Sequence, residues 1–275
     1  MSKHESRKTE AAHRVLIELM QILGAYRDNM ILVGGWVPYL HFGNEHVGSM
    51  DVDIALDKDT ISDDVYNTIR KILEHHNYKP DVSQPFIFYR EVKVDDGAAI
   101  KVEIDFLAAE YGGTDKHRRT QLIQDIKARK TRGSDLAFEH PVRLSISGKM
   151  PNGAENTVEL RVSGIVPFIV MKGMALYDRL KEKDAYDIYF CLMKFPGGGR
   201  ELAESFRSLI NDKLVQEGLS KVRSKFSSIG SMGPVAVADF LGIESGEQRA
   251  LVIRRAFEVV DEFLNILNVQ PFQII

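Results

Sequence analysis

The sequence predicts an α/β chain of the α+β kind: a mixed sheet flanked by helices over residues 1–165, followed by a helical C-terminal region over 166–275. Three observations predict it. Short apolar runs with period-two alternation recur between residues 30 and 162, an amphipathic stretch at 9–26 precedes them, and from about Pro167 the text is almost wholly helical. With 275 residues, 44% of them hydrophobic, the chain can bury the core of one large domain or two modest ones.

Taken in order, the N-terminal helix leads into Ile31-Leu32-Val33, a short buried strand at 30–33, and Gly34-Gly35 turns the chain into a helix beginning near Trp36. A second strand covers 52–56. Ser62-Asp63-Asp64-Val65 has the composition of a helix start, with Ser62 as N-cap and acids in the first turn, for a helix at 62–77. Strands follow at 86–94 and 100–108, and Lys149-Met150-Pro151-Asn152-Gly153 turns between extended segments at 142–147 and 158–162. Farther on, Pro196-Gly197-Gly198-Gly199 and residues 227–234 break the helical text. The last helix, 248–268, sets Leu251, Ala256, Val259, Val260, Phe263, Leu264 and Leu267 at core spacing.

The most informative stretch is Ser49-Met50-Asp51-Val52-Asp53, just after the Gly34-Gly35 turn. Side chains repeat every two residues along a strand, so Asp51 and Asp53 leave it on the same side. Neighbouring carboxylates repel unless a cation or protons neutralise them, and hard cations such as Mg²⁺ favour oxygen ligands. A third carboxylate stands in Ile100-Lys101-Val102-Glu103-Ile104-Asp105-Phe106-Leu107, where Val102, Ile104 and Phe106 share one face and Lys101, Glu103 and Asp105 the other. Asp105, flanked by Ile104 and Phe106, is the chosen ligand, and Glu103 on the same face is the fallback. The backbone N–H groups at the Gly34-Gly35 turn are placed to meet phosphate.

Residues 166–193 carry Lys172, Arg179, Lys183 and Asp187. At about 100° per residue these lie nearly on one face of a continuous helix, with Asp184 off it. Lys172 sits among Phe168, Ile169, Val170, Met171 and Met174, where a lysine reaches for an anion.

Together the strand, the Gly-Gly turn and the Asp-apolar-Asp resemble the polymerase-β-type nucleotidyltransferases. The Ser49, Asp51, Asp53 form and the later Lys172, Arg179 and Lys183-Asp184-x-x-Asp187 resemble the AbiEii-type nucleotidyltransferase toxins. The segment from Gly35 to Asp51 is somewhat longer than usual, and Val47 stands where many relatives carry an arginine. The resemblance implies a nucleotidyltransferase sheet and transfer of an NMP from an NTP to an acceptor hydroxyl, with pyrophosphate released. It implies Mg²⁺ or Mn²⁺ held by Asp51, Asp53 and Asp105, with Asp105 also receiving the hydroxyl proton. Phosphate contacts fall to Gly34, Gly35, Ser49 and Lys172, and one of Asp184 or Asp187 completes the catalytic set. It further implies a tRNA 3′ end as acceptor and a cognate antitoxin as partner. An antibiotic or protein hydroxyl suits the same core, and a module that binds nucleotide or a partner without turnover is the alternative from another class.

Net charge is −3, so no global field recruits nucleic acid and any polyanion must meet a local patch. Such a patch is offered by residues 114–132, where Arg118, Arg119, Lys127 and Lys130 fall on one flank of a helix at 118–130 and suit RNA phosphate; the alternative is a solvated face. The single Cys191 excludes a disulfide framework within one chain and reads as a reduced core thiol. Residues 1–11 are polar and no apolar run reaches membrane-spanning length, so the expectation is a cytoplasmic protein without membrane contact.

Overall fold

The computed structural model describes residues 3–57, 68–94, 97–109 and 120–273, which fall into two compact units, Met1–Gly164 and Ile165–Ile275. In the first unit the described residues form helices α1 (Lys3–Ile22), α2 (Trp36–Phe42), α3 (Ile69–His75) and α4 (Ser134–Glu139). Its strands are β1 (Met30–Val33), β2 (Asp51–Leu56), β3 (Lys79–Pro80), β4 (Ile87–Val92), β5 (Ile100–Ala109), β6 (Thr120–Ile123), β7 (Ile126–Thr131), β8 (Pro141–Lys149) and β9 (Glu155–Ser163). They make one mixed sheet in the order β3-β4-β5-β2-β1-β9-β8, with the β6–β7 hairpin joined through β7 to the C-terminal half of β5. The β2–β5, β5–β7 and β1–β9 pairs are parallel and the others antiparallel. The α/β fold class read from the sequence is the one found.

The two faces of the sheet differ because the strands alternate. Val52, Ile54, Phe88, Val102, Ile104 and Phe106 are buried on one face. Arg90 lies on that face too, directly opposite Val102, and its guanidinium bonds Glu18 of α1 at 2.9 and 3.1 Å, so α1 is the layer that covers it. The stripe Ala12, Val15, Leu16, Leu19 and Leu23 is fully buried, and each large apolar side chain so placed contributes about 1.5–3 kcal/mol. Tyr78 Oη also donates to Glu18 at 2.8 Å, so the buried carboxylate is satisfied from both sides. The N-terminal helix ends at Ile22 and continues as a 3-10 turn, Gly24–Asn29.

Two expectations for this unit change. The start expected at Ser62 lies outside the described residues; α3 is capped by Thr68, whose hydroxyl accepts from Lys71 N. The hairpin turn supports the same end, since Asp125 accepts from Thr68 Oγ1 and, at 3.3 Å, from Arg70 N. The basic stretch is no helix where it is described. Residues 120–131 form an antiparallel hairpin closed at Gln124-Asp125, because Ile123, Ile126 and Ala128 alternate into the core at period two. Arg118 and Arg119 lie outside the described residues.

The second unit holds α5 (Ile165–Arg179), α6 (Glu182–Lys194), α7 (Gly198–Arg207), α8 (Lys213–Lys225), α9 (Met232–Phe240) and α10 (Gly246–Ile266). Helices α5 and α8 cross closely because glycines meet there: a Cβ at Gly173 would stand 2.4 Å from the Gly218 carbonyl oxygen. The continuous helix expected over 166–193 is two helices. Leu180 takes a left-handed conformation, φ +53°, and ends α5. On α10, Ala256, Val260, Phe263 and Leu264 are buried as expected, whereas Leu251 is 58% exposed, because it lies in the first turns of the helix, off this buried stripe. Among the described residues, no helix is long and apolar enough to cross a membrane.

Candidate active site

The carboxylates come together through strand register. In the parallel β2–β5 pair Asp53 lies opposite Asp105 and Asp51 opposite Glu103. Directly opposed residues project on the same face with Cβ atoms about 5 Å apart, so four carboxylates share one patch of the face that α1 leaves uncovered. Strand β5 is interior, between β2 on one side and β4 and β7 on the other, so Asp105 is not an edge residue. Asp105 is only 6% exposed, while Asp51 and Asp53 are half-buried. Beyond them Ile54, Ala55, Leu56 and Phe106 to Ala109 are all buried, so the carboxylates mark the border where the covered sheet opens.

The Gly-Gly turn explains how backbone reaches this patch. Gly34 has φ +71°, and a Cβ there would stand 1.9 Å from Asp53 Oδ2, so glycine is required both for the conformation and for the close approach. Trp36 Nε1, at the start of α2, donates to the Asp51 carbonyl at 2.8 Å and fixes the head of β2. Gly35 is the N-cap of this short helix. Upstream of the aspartates, Gly48 N donates to His46 Nδ1 at 3.1 Å, and Ser49 Oγ donates to Asp51 Oδ1. Trp36 and His46 were not legible as site residues, since a lone aromatic or histidine has no motif.

Arg129 was missed as well, for a clearer reason. As part of a helix it belonged to a charged flank; on β7 it lies opposite Leu107, on the same face as Asp105, and its Nη2 pairs with Asp105 Oδ2. Alternation of Ile126 and Ala128 with Lys127 and Arg129 was the signal that could have found it. Lys127 shares this face, and Lys130, opposite Ala108, projects to the other.

Four carboxylates on one face need compensating positive charge, and Arg129 supplies part of it. Among the described residues no three His, Cys, Asp or Glu side chains converge closely enough to enclose a cation in the rotamers found; Ser49 bonds Asp51 and Arg129 bonds Asp105. The donor set itself, carboxylate oxygens on opposed rungs of a rigid sheet, has the chemistry of a hard-cation site.

The second unit brings together Lys172, Asp184 and Asp187. Lys172 Nζ stands 2.7 Å from Asp184 Oδ1 and 2.8 Å from Asp187 Oδ2, so both aspartates of α6 converge on one lysine of α5. The helical face that set Asp187 apart from Asp184, between which the sequence left the choice open, therefore falls with the continuous helix. Arg179 holds Asp184 through two nitrogens at 2.8 and 2.9 Å, and Lys183 reaches Asp187 at 3.1 Å. Burial works against the charged Lys172, but Asp187 and Asp184 outweigh it and raise its pKa. Burial likewise works against charged Asp184, and Lys172 and Arg179 overcome it and hold its pKa below the ordinary value. Lys172, Arg179 and Lys183 thus meet Asp184 and Asp187 in one ion-pair cluster. Cys191 is buried beside it, and burial pushes its thiol pKa well up, the state of an inert core thiol.

Comparison with known proteins bears on the whole chain. An H. pylori protein provisionally described as a nucleotidyltransferase is 15% identical, with 97% of this chain and 99% of that one covered and a TM-score of 0.47. JHP933 from Helicobacter pylori is 14% identical, with 93% and 95% covered and a TM-score of 0.43. An antigenic nucleotidyltransferase-like protein from Paracoccidioides brasiliensis is 15% identical, with 82% and 93% covered and a TM-score of 0.47. No curated protein matches the chain. The sequence pattern of the AbiEii nucleotidyl transferase toxins of type IV toxin–antitoxin systems matches residues 18–230, well over half of the chain. The chain therefore belongs to the AbiEii family and is a nucleotidyltransferase.

Proposed function

We propose that the protein transfers an NMP from an NTP to a hydroxyl at the 3′ end of a tRNA, with a divalent cation, Mg²⁺ or Mn²⁺, held by Asp51, Asp53 and Asp105. The observation that carries this reading is the β2–β5 register, which sets Asp53 against Asp105 on the sheet face opposite α1. When bound, the cation offsets charge on the phosphates and lowers the barrier to displacement at phosphorus. The chain's own residues do the rest. Asp105 accepts the proton of the acceptor hydroxyl, whose oxygen forms the new bond to the α-phosphorus while the bond to the bridging oxygen breaks and pyrophosphate leaves. Ser49 and the amides of Gly34 and Gly35 hold phosphate oxygens, and Asp53 is kept in place by the Gly34 backbone against it. For Asp105 to take up either role, Arg129 must let go of its carboxylate; an incoming phosphate is the natural alternative partner for that guanidinium.

Lys172 enters the proposal as a phosphate contact. To make one it must exchange a carboxylate for a phosphate oxygen, and Arg179 and Lys183 remain to hold the carboxylate it releases. Lys127 supports an RNA acceptor because it lies on the carboxylate face, and Arg118 and Arg119 are assigned the same role from the sequence alone. Membership of a toxin–antitoxin family supports a cognate antitoxin as partner.

The test is to incubate the protein and Mg²⁺ with α-labelled NTPs and, separately, total tRNA, total cell protein and aminoglycosides. Label in tRNA, with stoichiometric pyrophosphate, is the expected result. Label only in protein or only in aminoglycoside moves the acceptor, and NTP binding without pyrophosphate from any pool overturns transfer.

A further inference from the structure

A cavity of about 500 Å³ opens at the β3–β4 edge of the sheet, lined among others by Asn77, Lys79, Asp81, Tyr89, Glu91 and Lys101. Register ties it to the carboxylates. Lys79 lies opposite Tyr89, Tyr89 opposite Glu103, and Glu103 opposite Asp51, so these four form one row across β3, β4, β5 and β2 on a single face. At a strand spacing of about 4.8 Å, Tyr89 stands roughly 5 Å from Glu103 and roughly 10 Å from Asp51, an interval of the size of one nucleoside.

The chemistry of the lining points to a ligand. Lys101 Nζ lies 3.4 Å from the centroid of the Tyr89 ring, so one π-face of the ring is turned to a cation rather than packed against apolar side chains. Lys79 and Lys101, both exposed, supply two ammonium groups beside that ring. Of the opposing acids, Asp81 is held by its own turn, accepting from Ser83 N, Ser83 Oγ and Gln84 N, each at 2.8 Å, and it also accepts from the Tyr89 hydroxyl. Glu91 stands opposite Lys101 in register, on the side of the cavity away from Lys79. A half-buried ring with one face met by an exposed lysine, with a second lysine beside it and carboxylates one step away, has the composition of a stacking platform for single-stranded nucleic acid.

We propose that this cavity binds an unpaired nucleobase of the acceptor RNA, stacked on Tyr89, with the adjoining phosphate held by Lys79 and by Lys101 once the base has moved it off the ring. The inference rests on the RNA-acceptor reading and adds the residues that place the strand: a base on Tyr89 directs its ribose along the row toward Glu103 and Asp51. Tyr89 is thus a positioning residue for the acceptor and takes no part in the bond changes.

The test is direct binding of a short 5′-labelled single-stranded RNA, read by fluorescence anisotropy without NTP, so that it does not depend on transfer. Tyr89→Ala should weaken binding about ten-fold to a hundred-fold, while Tyr89→Phe, which keeps the ring, should bind like the parent. Lys101→Gln should flatten the slope of log affinity against log salt by about 0.7, the loss of one phosphate contact on a single strand. NTP binding and the melting temperature should be unchanged in all three, since Tyr89 and Lys101 lie on the uncovered face. Absence of RNA binding by the parent protein, or equal binding by Tyr89→Ala, overturns the inference. If RNA binds as expected but no tRNA acquires label in the transfer assay, the cavity stands and the transfer reading fails.

Discussion

At the scale of single residues the site depends on close approach. Gly34→Ala forces a Cβ into the space of the Asp53 carboxylate and strains a left-handed backbone, which costs about 1–2 kcal/mol for a non-glycine residue before any clash. The expected outcome is transfer activity reduced as far as in Asp53→Asn, with a melting temperature lowered by only a few degrees; activity near the parental level would mean that Asp53 is free to move and is not held by the turn. Asp105 and Glu103 separate in the same way. Asp105 is nearly buried and faces Asp53, whereas Glu103 is more open and faces Asp51. Asp105→Asn should therefore lower kcat by several orders of magnitude and Glu103→Gln by about ten-fold or less, measured as pyrophosphate release. The reverse order would move the third ligand to Glu103. The aspartates were legible because a period-two repeat fixes which side chains share a face. Trp36 and His46 were not, because their roles arise from contacts made only in the fold, and Arg129 was hidden by the charges around it although its alternation with Ala128 was there to read.

At the scale of elements the reading failed where no residue type announced the break. Nothing in Arg179-Leu180-Lys181-Glu182 is glycine or proline, yet Leu180 turns left-handed and the chain reverses so that α6 can present both aspartates to α5. The energy of that pairing decides the geometry over local propensity. Removing a buried partner leaves charge uncompensated and costs about 3–5 kcal/mol. Because Arg179 and Lys183 remain beside Asp184 and Asp187, Lys172→Met should fall at or below the lower end of that range, seen as a drop in the melting temperature of the full chain. An unchanged melting temperature with a raised KM for NTP would instead assign Lys172 to phosphate alone. The basic stretch was misread for the opposite reason: its charges masked the alternation of Ile123, Ile126 and Ala128. Strand geometry splits Lys127 from Lys130, so Lys127→Glu should weaken tRNA binding and reduce its salt dependence, and Lys130→Glu should do much less. Equal effects would show that RNA is not bound on the carboxylate face.

For the molecule as a whole, the mixed sheet and the helical region were legible because their hydrophobic periods differ and each persists for many residues. The register that makes a site of the sheet was not, since nothing local specifies that residue 53 meets residue 105 across a parallel pair whose strands are about fifty residues apart in sequence. The most direct measurement of that register is Mn²⁺ binding by electron paramagnetic resonance, in the presence of a non-hydrolysable NTP, for the parent protein and for Asp53→Asn and Asp105→Asn. Both variants should stay folded without metal: Asp53→Asn relieves repulsion among neighbouring carboxylates, and in Asp105→Asn that relief offsets the weakened pair with Arg129, whose own side chain is 40% exposed. Mn²⁺ should bind the parent and be lost from both variants; bound Mn²⁺ that survives either substitution, or none in the parent, would show that Asp53 and Asp105 do not share a cation.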